Sequence, residues 1–215
     1  MENKLSKSKE VILTRVRESQ VLARLPEIMP ESTAGLKSHH QPESDLLNSL
    51  QKEFDLLGVE TYVEKNQEAV CKRLRNLLQD KSVLSWNLDN LPYDAGTVLQ
   101  SRNVYFERDD KITQASADIG LTGCDAAIAE TGSLVLLSGE GKPRTASLLP
   151  FEHIALIRQS DIYFTMSDFF DKKGKEVSQA SCIDIITGPS RTADIELSLT
   201  LGVHGPGKVI VVIGP

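Results

Sequence analysis

The chain has 215 residues, of which 40% are apolar and 25% charged, and 24 Lys and Arg against 30 Asp and Glu give a formal net charge of −6. That length buries a sizeable core in one domain with an appendage, while the acidic balance, without a basic stripe and interleaved aromatics, speaks against nucleic acid as a partner. No run approaches the roughly 18 apolar residues of a membrane span, and the charge-interrupted N-terminus lacks a small-residue cleavage site, so no secretory leader is expected.

Residues 8–25 place Val11, Ile12, Val16, Leu22 and Leu25 at spacings of three and four with Lys and Arg between, which predicts an amphipathic helix stopped by Pro26. Residues 26–42 carry three prolines, Gly35 and the pair His39-His40 without periodicity, an extended arm. Residues 1–42 therefore form an N-terminal helix and proline-containing arm, a docking element for a neighbour or for oligomerisation, and residues 43–215 form the main domain. A helix over 43–57 is predicted by the polar start at Ser44, by Leu46, Leu47, Leu50, Phe54 and Leu57, and by Gly58 as its C-cap. Strand-like VETYV at 59–63, a helix over 67–79 and strand-like SVLSW at 82–86 make a β-α-β series. The fold class is α/β, a mostly parallel sheet flanked by helices. Further strands are expected at Ala117–Leu121, around Ala129-Glu130-Thr131-Gly132, and at Ile154–Ile157, Cys182–Ile186 and Val209–Ile213, with helices within 160–172 and within 192–201.

The apolar run ending at Ser138 is broken by Glu130-Thr131-Gly132, where a tight turn or bulge with positive φ at Gly132 joins the runs Asp125–Ala129 and Ser133–Leu137. Glu130 then stands at a strand end, either as an exposed carboxylate beside a turn or as a base or nucleophile activated by partial desolvation. Gly188-Pro189-Ser190-Arg191-Thr192 follows a strand and opens the expected helix. Its backbone N–H groups, the hydroxyls of Ser190 and Thr192 and the Arg191 guanidinium form a candidate anion cradle. The competing reading is simple capping by Ser190 or Thr192, with Asp194 and Glu196 in the first turn repelling an anion. His204, in the turn before the last strand, is a candidate proton donor or metal ligand, or a loop histidine satisfied by backbone.

His153 reads as packed or capping, and His39-His40 as outside any chemistry; no H-E-x-x-H spacing supports a metal site. Residues 138–144 match neither phosphate-loop pattern and read as a surface turn with Lys142 and Arg144 solvated, although Arg144 is a candidate bidentate contact to a carboxylate if the loop covers a site. Cys71, Cys124 and Cys182 are dispersed with no C-x-x-C pair, so each reads as a small buried hydrophobe in a reducing cytoplasm, and no cluster is expected within the chain.

The segments AETG at 129–132, GPSRTADIE at 188–196 and GVHGP at 202–206, in this order and at these separations, resemble the LUD-domain family and, within it, the small single-domain lactate utilization protein C type. The likeness runs nearly the whole length of the chain. It implies a fold related to the sugar-phosphate isomerase and CoA-transferase-like α/β group. It also implies a cytoplasmic role in oxidising L-lactate to pyruvate beside iron-sulfur partner proteins, with the clusters in those partners and no cofactor here. Because CoA-transferase-like enzymes use a strand-end glutamate as nucleophile, the resemblance points to Glu130, with no matched CoA motif beside it. Three readings stand. The chain is a non-redox component of lactate oxidation, an independent acyl- or phospho-substrate enzyme using Glu130, or a non-catalytic assembly subunit. The candidate ligand is a small carboxylate held by Thr131, Gly132, Arg144, Gly188, Ser190, Arg191 and Thr192. The loops after Glu130, at 188–192 and at His204 are expected to converge beyond the carboxyl ends of the sheet.

Overall fold

The computed structural model describes residues 10–18, 43–100, 102–193 and 199–215. The chain divides into two units between Lys37 and Ser38. In the first, residues 10–18 form a helix, α1, where the Thr14 hydroxyl donates to the Glu10 carbonyl at 2.8 Å. The arm predicted over 26–42 lies outside the described residues.

In the second unit, α2 (Glu43–Leu57) turns its apolar stripe inward, with Leu50 and Phe54 fully buried. It ends where Gly58 takes φ 76°, the left-handed geometry that closes a helix. The main sheet then grows through β1 (Glu60–Val63), β2 (Val83–Ser85), β3 (Val104–Tyr105) and β4 (Ile119–Gly123). Between them lie α3 (Gln67–Leu77), α4 (Ala95–Leu99) and α5 (Lys111–Ala115). Side-chain caps start two of these helices: Asn66 accepts from Ala69 N–H, and Asp110 from Ile112 and Thr113 N–H.

After β4 the chain builds β5 (Ala126–Ile128), β6 (Ser133–Ser138) and α6 (Thr145–Leu148) before β7 (Glu152–Arg158). It continues through β8 (Ile162–Tyr163), α7 (Met166–Gln179), β9 (Cys182–Ile186), β10 (Arg191–Ala193) and β11 (Leu199–Leu201) to β12 (Lys208–Gly214). The main sheet has the order β1-β12-β7-β4-β2-β3, and all its pairings are parallel. Its central strands read as near-continuous apolar runs, Ile154–Ile157 and Val209–Ile213, because a parallel sheet is covered on both faces. A second sheet, β8-β5-β6-β9, has its own small core of Ala126, Ile128, Val135, Leu137, Tyr163 and Phe169. This confirms the α/β class with a mostly parallel sheet.

Two predicted helices move. The helix expected within 160–172 starts only at Met166, because Thr165 and Asp168 form a reciprocal capping box that sets its first turn. The helix expected within 192–201 is instead a hairpin, with Arg191 opposite Leu201, Thr192 opposite Thr200 and Ala193 opposite Leu199. Paired threonines suit a pleated ribbon, where β-branched side chains lie cross-strand. Asp194 and Glu196, expected in that helix's first turn, lie outside the described residues.

Candidate functional site

In an open parallel sheet a crevice forms beyond the carboxyl ends of neighbouring strands whose connections depart in opposite directions. From β2 the chain goes outward to the edge strand β3, whereas from β4 it goes back toward β7 and then β12. Between these carboxyl ends lies a cavity of about 320 Å³. Each strand ends in a polar or aromatic residue that faces it: Trp86 after β2, Cys124 and Asp125 after β4, and Arg158 at the end of β7. Lys142, Asp161 and Lys173 complete the charged wall.

Backbone and side-chain contacts hold this wall in place. Trp86 N–H continues the ladder to Leu121 carbonyl at 3.2 Å. The Asp125 carboxylate accepts from Leu137 N–H at 2.8 Å through Oδ2 and from Lys142 Nζ at 2.6 Å through Oδ1. The Lys142 ammonium also lies 4.9 Å from the centre of the Trp86 ring, a cation-π contact. Its loop is tied down by Asn87 N–H donating to Gly141 carbonyl at 2.8 Å and by Asn90 Nδ2 donating to Glu140 carbonyl at 3.3 Å. Lys142, expected in solvent, therefore turns inward. Burial, with the Asp125 charge next in weight, pushes the Cys124 thiol far up, and the thiol donates to Ala126 carbonyl at 2.8 Å. It is a packed thiol, not a thiolate nucleophile.

Burial also raises the Asp161 carboxyl above its ordinary range, opposed by the charges of Lys173 and Arg158 and reinforced by that of Asp125. Arg158 lies 5.7 Å over the Tyr93 ring. Tyr93 is itself anchored by its hydroxyl, which donates to Ile157 carbonyl at 2.8 Å, and burial pushes that hydroxyl up to about 12. The arrangement offers a small ligand a guanidinium on a fixed aromatic plate, an oriented ammonium and a half-buried carboxyl.

The motifs singled out in the sequence lie elsewhere. Thr131-Gly132 does make the tight turn between antiparallel β5 and β6, with Gly132 at φ 62°. Glu130 and Thr131 are exposed, and Glu130 N–H donates to Phe164 carbonyl at 3.0 Å. A Cβ on Gly132 would lie 2.8 Å from Leu57 Cδ1 and 2.9 Å from Glu53 Cβ, and one on Gly188 would lie 3.1 Å from Leu57 Cβ. The Arg191 guanidinium donates to the Leu57 carbonyl. Ser190 N–H donates to Pro206 carbonyl at 2.8 Å, and its Oγ accepts from His204 N–H at 3.4 Å.

Two motif loops thus meet around the last turn of α2, linked by hydroxyl contacts from Thr131 through Ser133 to Thr187, and the third, around His204, is held against Ser190. They sit at the amino ends of β1, β7 and β12, since Gly58 leads directly into β1 and Lys208 N–H pairs with Phe151 carbonyl. The expectation of a carboxyl-end location is corrected: α2 runs opposite to the strand it precedes, so its C-terminal turn lies where β1 begins. Thr192 is in β10 opposite Thr200. Arg144 binds Asp184 on β9, with Nε 3.1 Å from each carboxylate oxygen and Nη2 at 3.0 Å from Oδ1. His153 is fully buried in β7, where its Nε2 lies 2.9 Å from Thr122 Oγ1 and its Nδ1 has no partner. Burial pushes it down to about 4, so it is neutral.

The LUD domain family profile matches residues 47–213. The chain belongs to the LUD-domain family. It is 35% identical over 167 residues to "Lactate utilization protein C" of Halalkalibacterium halodurans, covering 72% of this chain and 71% of the relative. It is 38% identical over 180 residues to the protein of the same name from Anoxybacillus flavithermus, covering 80% of this chain and 81% of the relative. A crystal structure of a DUF162 family protein from Deinococcus radiodurans superimposes with a TM-score of 0.67 over 82% of this chain and 100% of that one. At 20% identity this likeness concerns the fold alone.

The crevice of this LUD domain was missed from the sequence because its groups are dispersed over residues 86–173. A signal was present: a single polar or aromatic residue closes each apolar strand run, as Trp86, Asp125 and Arg158 do, and ligand sites of such sheets collect there. Among the described residues no group of three or more His, Cys, Asp and Glu is placed to hold a metal ion, and no helix is long and apolar enough to cross a membrane.

Proposed function

We propose that this LUD domain is a cytoplasmic component of an L-lactate oxidation system, taking part in the conversion of lactate to pyruvate beside iron-sulfur partner proteins that carry the electrons. The observation that carries this reading is the match, over more than two thirds of both chains, to two relatives named for lactate utilization. The crevice supports it with cationic groups and a volume at the small end of the range of roughly 300–1,000 Å³ usual for ligand sites. The cysteines support placing the clusters in partners: Cys71 is buried and donates to Tyr93 carbonyl, Cys124 is tied to Ala126 carbonyl, and Cys182 lies on β9.

The test is lactate-dependent dye reduction by the chain alone, by the co-expressed partner proteins alone and by the mixture. Reduction by the mixture only is expected. Equal rates with and without this chain would refute the role.

A further inference from the structure

We infer that the crevice between the carboxyl ends of β2, β4 and β7 binds a small 2-hydroxy or 2-oxo carboxylate, with Arg158 taking the carboxylate and Lys142 and Asp161 reading the oxygen on the next carbon. The assignment deepens the lactate reading and rests on it for the ligand's size class; the chemistry comes from the wall itself.

The wall carries both signs of charge. Lys142, Arg158 and Lys173 face Asp89, Asp125 and Asp161 around one cavity. A doubly charged phosphate would meet three carboxylates there, whereas a singly charged acid with a neighbouring hydroxyl or carbonyl can use both signs. Among the described residues Arg158 makes no ion pair; its guanidinium carbon lies 5.7 Å over the Tyr93 ring, and its N–H donors are available for a paired contact to a carboxylate. Lys142 is held by Asp125 and Trp86 and keeps N–H donors for a hydroxyl or keto oxygen, since an ammonium has three. Asp161 lies within the electrostatic reach of Arg158 and Lys173 and accepts the proton of a 2-hydroxyl in a hydrogen bond. Burial raises its carboxyl above the ordinary range, and Lys142 supplies the donor for a 2-oxo group. The cavity of about 320 Å³ suits such an acid with bound water better than a dinucleotide or coenzyme A.

The full chain is titrated calorimetrically with L-lactate, pyruvate, propionate and inorganic phosphate. Lactate and pyruvate are expected to bind with Kd between about 10 μM and about 1 mM, a range a six-atom ligand can reach. Propionate, lacking the oxygen on carbon 2, and phosphate should bind at least about tenfold more weakly, the loss of one hydrogen bond to a charged group. R158Q should weaken lactate by about tenfold or more, and D161N should remove most of the preference for lactate over propionate, because each deletes one charged contact. Protection of Lys142 from amine acylation by bound lactate needs no variant and covers the case in which a substitution fails to fold. No heat with lactate or pyruvate up to about 10 mM, well above the millimolar end of specific binding, overturns the site. So does stronger binding of phosphate, unchanged lactate binding in folded R158Q, or unprotected Lys142. Growth of a deletion strain on lactate separates the two levels. If growth is lost but the pure chain ignores these acids, the ligand assignment fails and the role stands; if growth is normal but the acids bind, the reverse holds.

Discussion

The two ends of the main sheet are built for different purposes. At the amino end, two motif-bearing loops close on the last turn of α2, where Gly132 and Gly188 let the turns approach Leu57 and Arg191 caps its carbonyl, and the third loop packs on Ser190. At the carboxyl end, groups from separate strands and loops line an open crevice with paired and unpaired charge. Dense sequence motifs can mark backbone geometry, because close approach and positive φ restrict residue choice strongly, while a ligand wall can be assembled from single strand-end residues far apart in the chain.

The largest expected effect tests the amino end. Gly132→Val adds side-chain bulk where even a Cβ meets Leu57 and Glu53, at a φ of 62°. Overpacking and left-handed strain together should cost about 3 kcal/mol or more in urea unfolding. A loss below about 1 kcal/mol, the usual effect of an ordinary substitution, would mean that α2 is not locked by this turn.

Next comes His153 on β7, the strand that joins the two ends. Its folded value, about 4, lies below the ordinary 6.5, so between these the unfolded chain binds more protons and stability rises with pH. The contribution is complete above about pH 6.5, falls as pH drops, and is gone near pH 4, a loss of about 3 kcal/mol. His153→Gln should flatten that acid limb in unfolding curves between these pH values. An unchanged limb would place the acid sensitivity elsewhere.

Arg191→Met should cost about 1 kcal/mol, the usual worth of a helix cap with a favourable charge at the C-terminus. Hydrogen exchange should then rise selectively in the last turn of α2. Uniform exchange would show that the guanidinium does not hold this turn.

The smallest expected effect is the most discriminating. Glu130→Gln removes the charge of an exposed side chain and should alter stability by less than about 0.5 kcal/mol, with lactate-dependent growth normal. Loss of growth in a folded variant would return catalysis to the amino end and would count against the division drawn between the two ends.

Much of the architecture was legible in the sequence. Leu46, Leu50, Phe54 and Gly58 specified α2 and its end, and the runs at 59–63, 82–86, 154–157, 182–186 and 209–213 all became strands, because apolar periodicity and caps are local properties. The turn at Thr131-Gly132 was legible for the same reason. Short β3 and β8 were not, since a two-residue strand has no period and exists only through its neighbour. The ribbon of β10 and β11 was read as a helix because its pairing is set by register and not by propensity.

By itself the sequence determined the α/β class, the main helices and strands and, through three ordered motifs, the family. Only the tertiary structure decided which end of the sheet each loop occupies, that Lys142 turns inward to Asp125, and that Arg158 and Asp161 face one cavity with Trp86. The physical reason is the range of the interactions. Hydrophobic period and capping act within a few residues, whereas strand order, switch point and charge pairing join groups tens of residues apart and are settled when the sheet assembles.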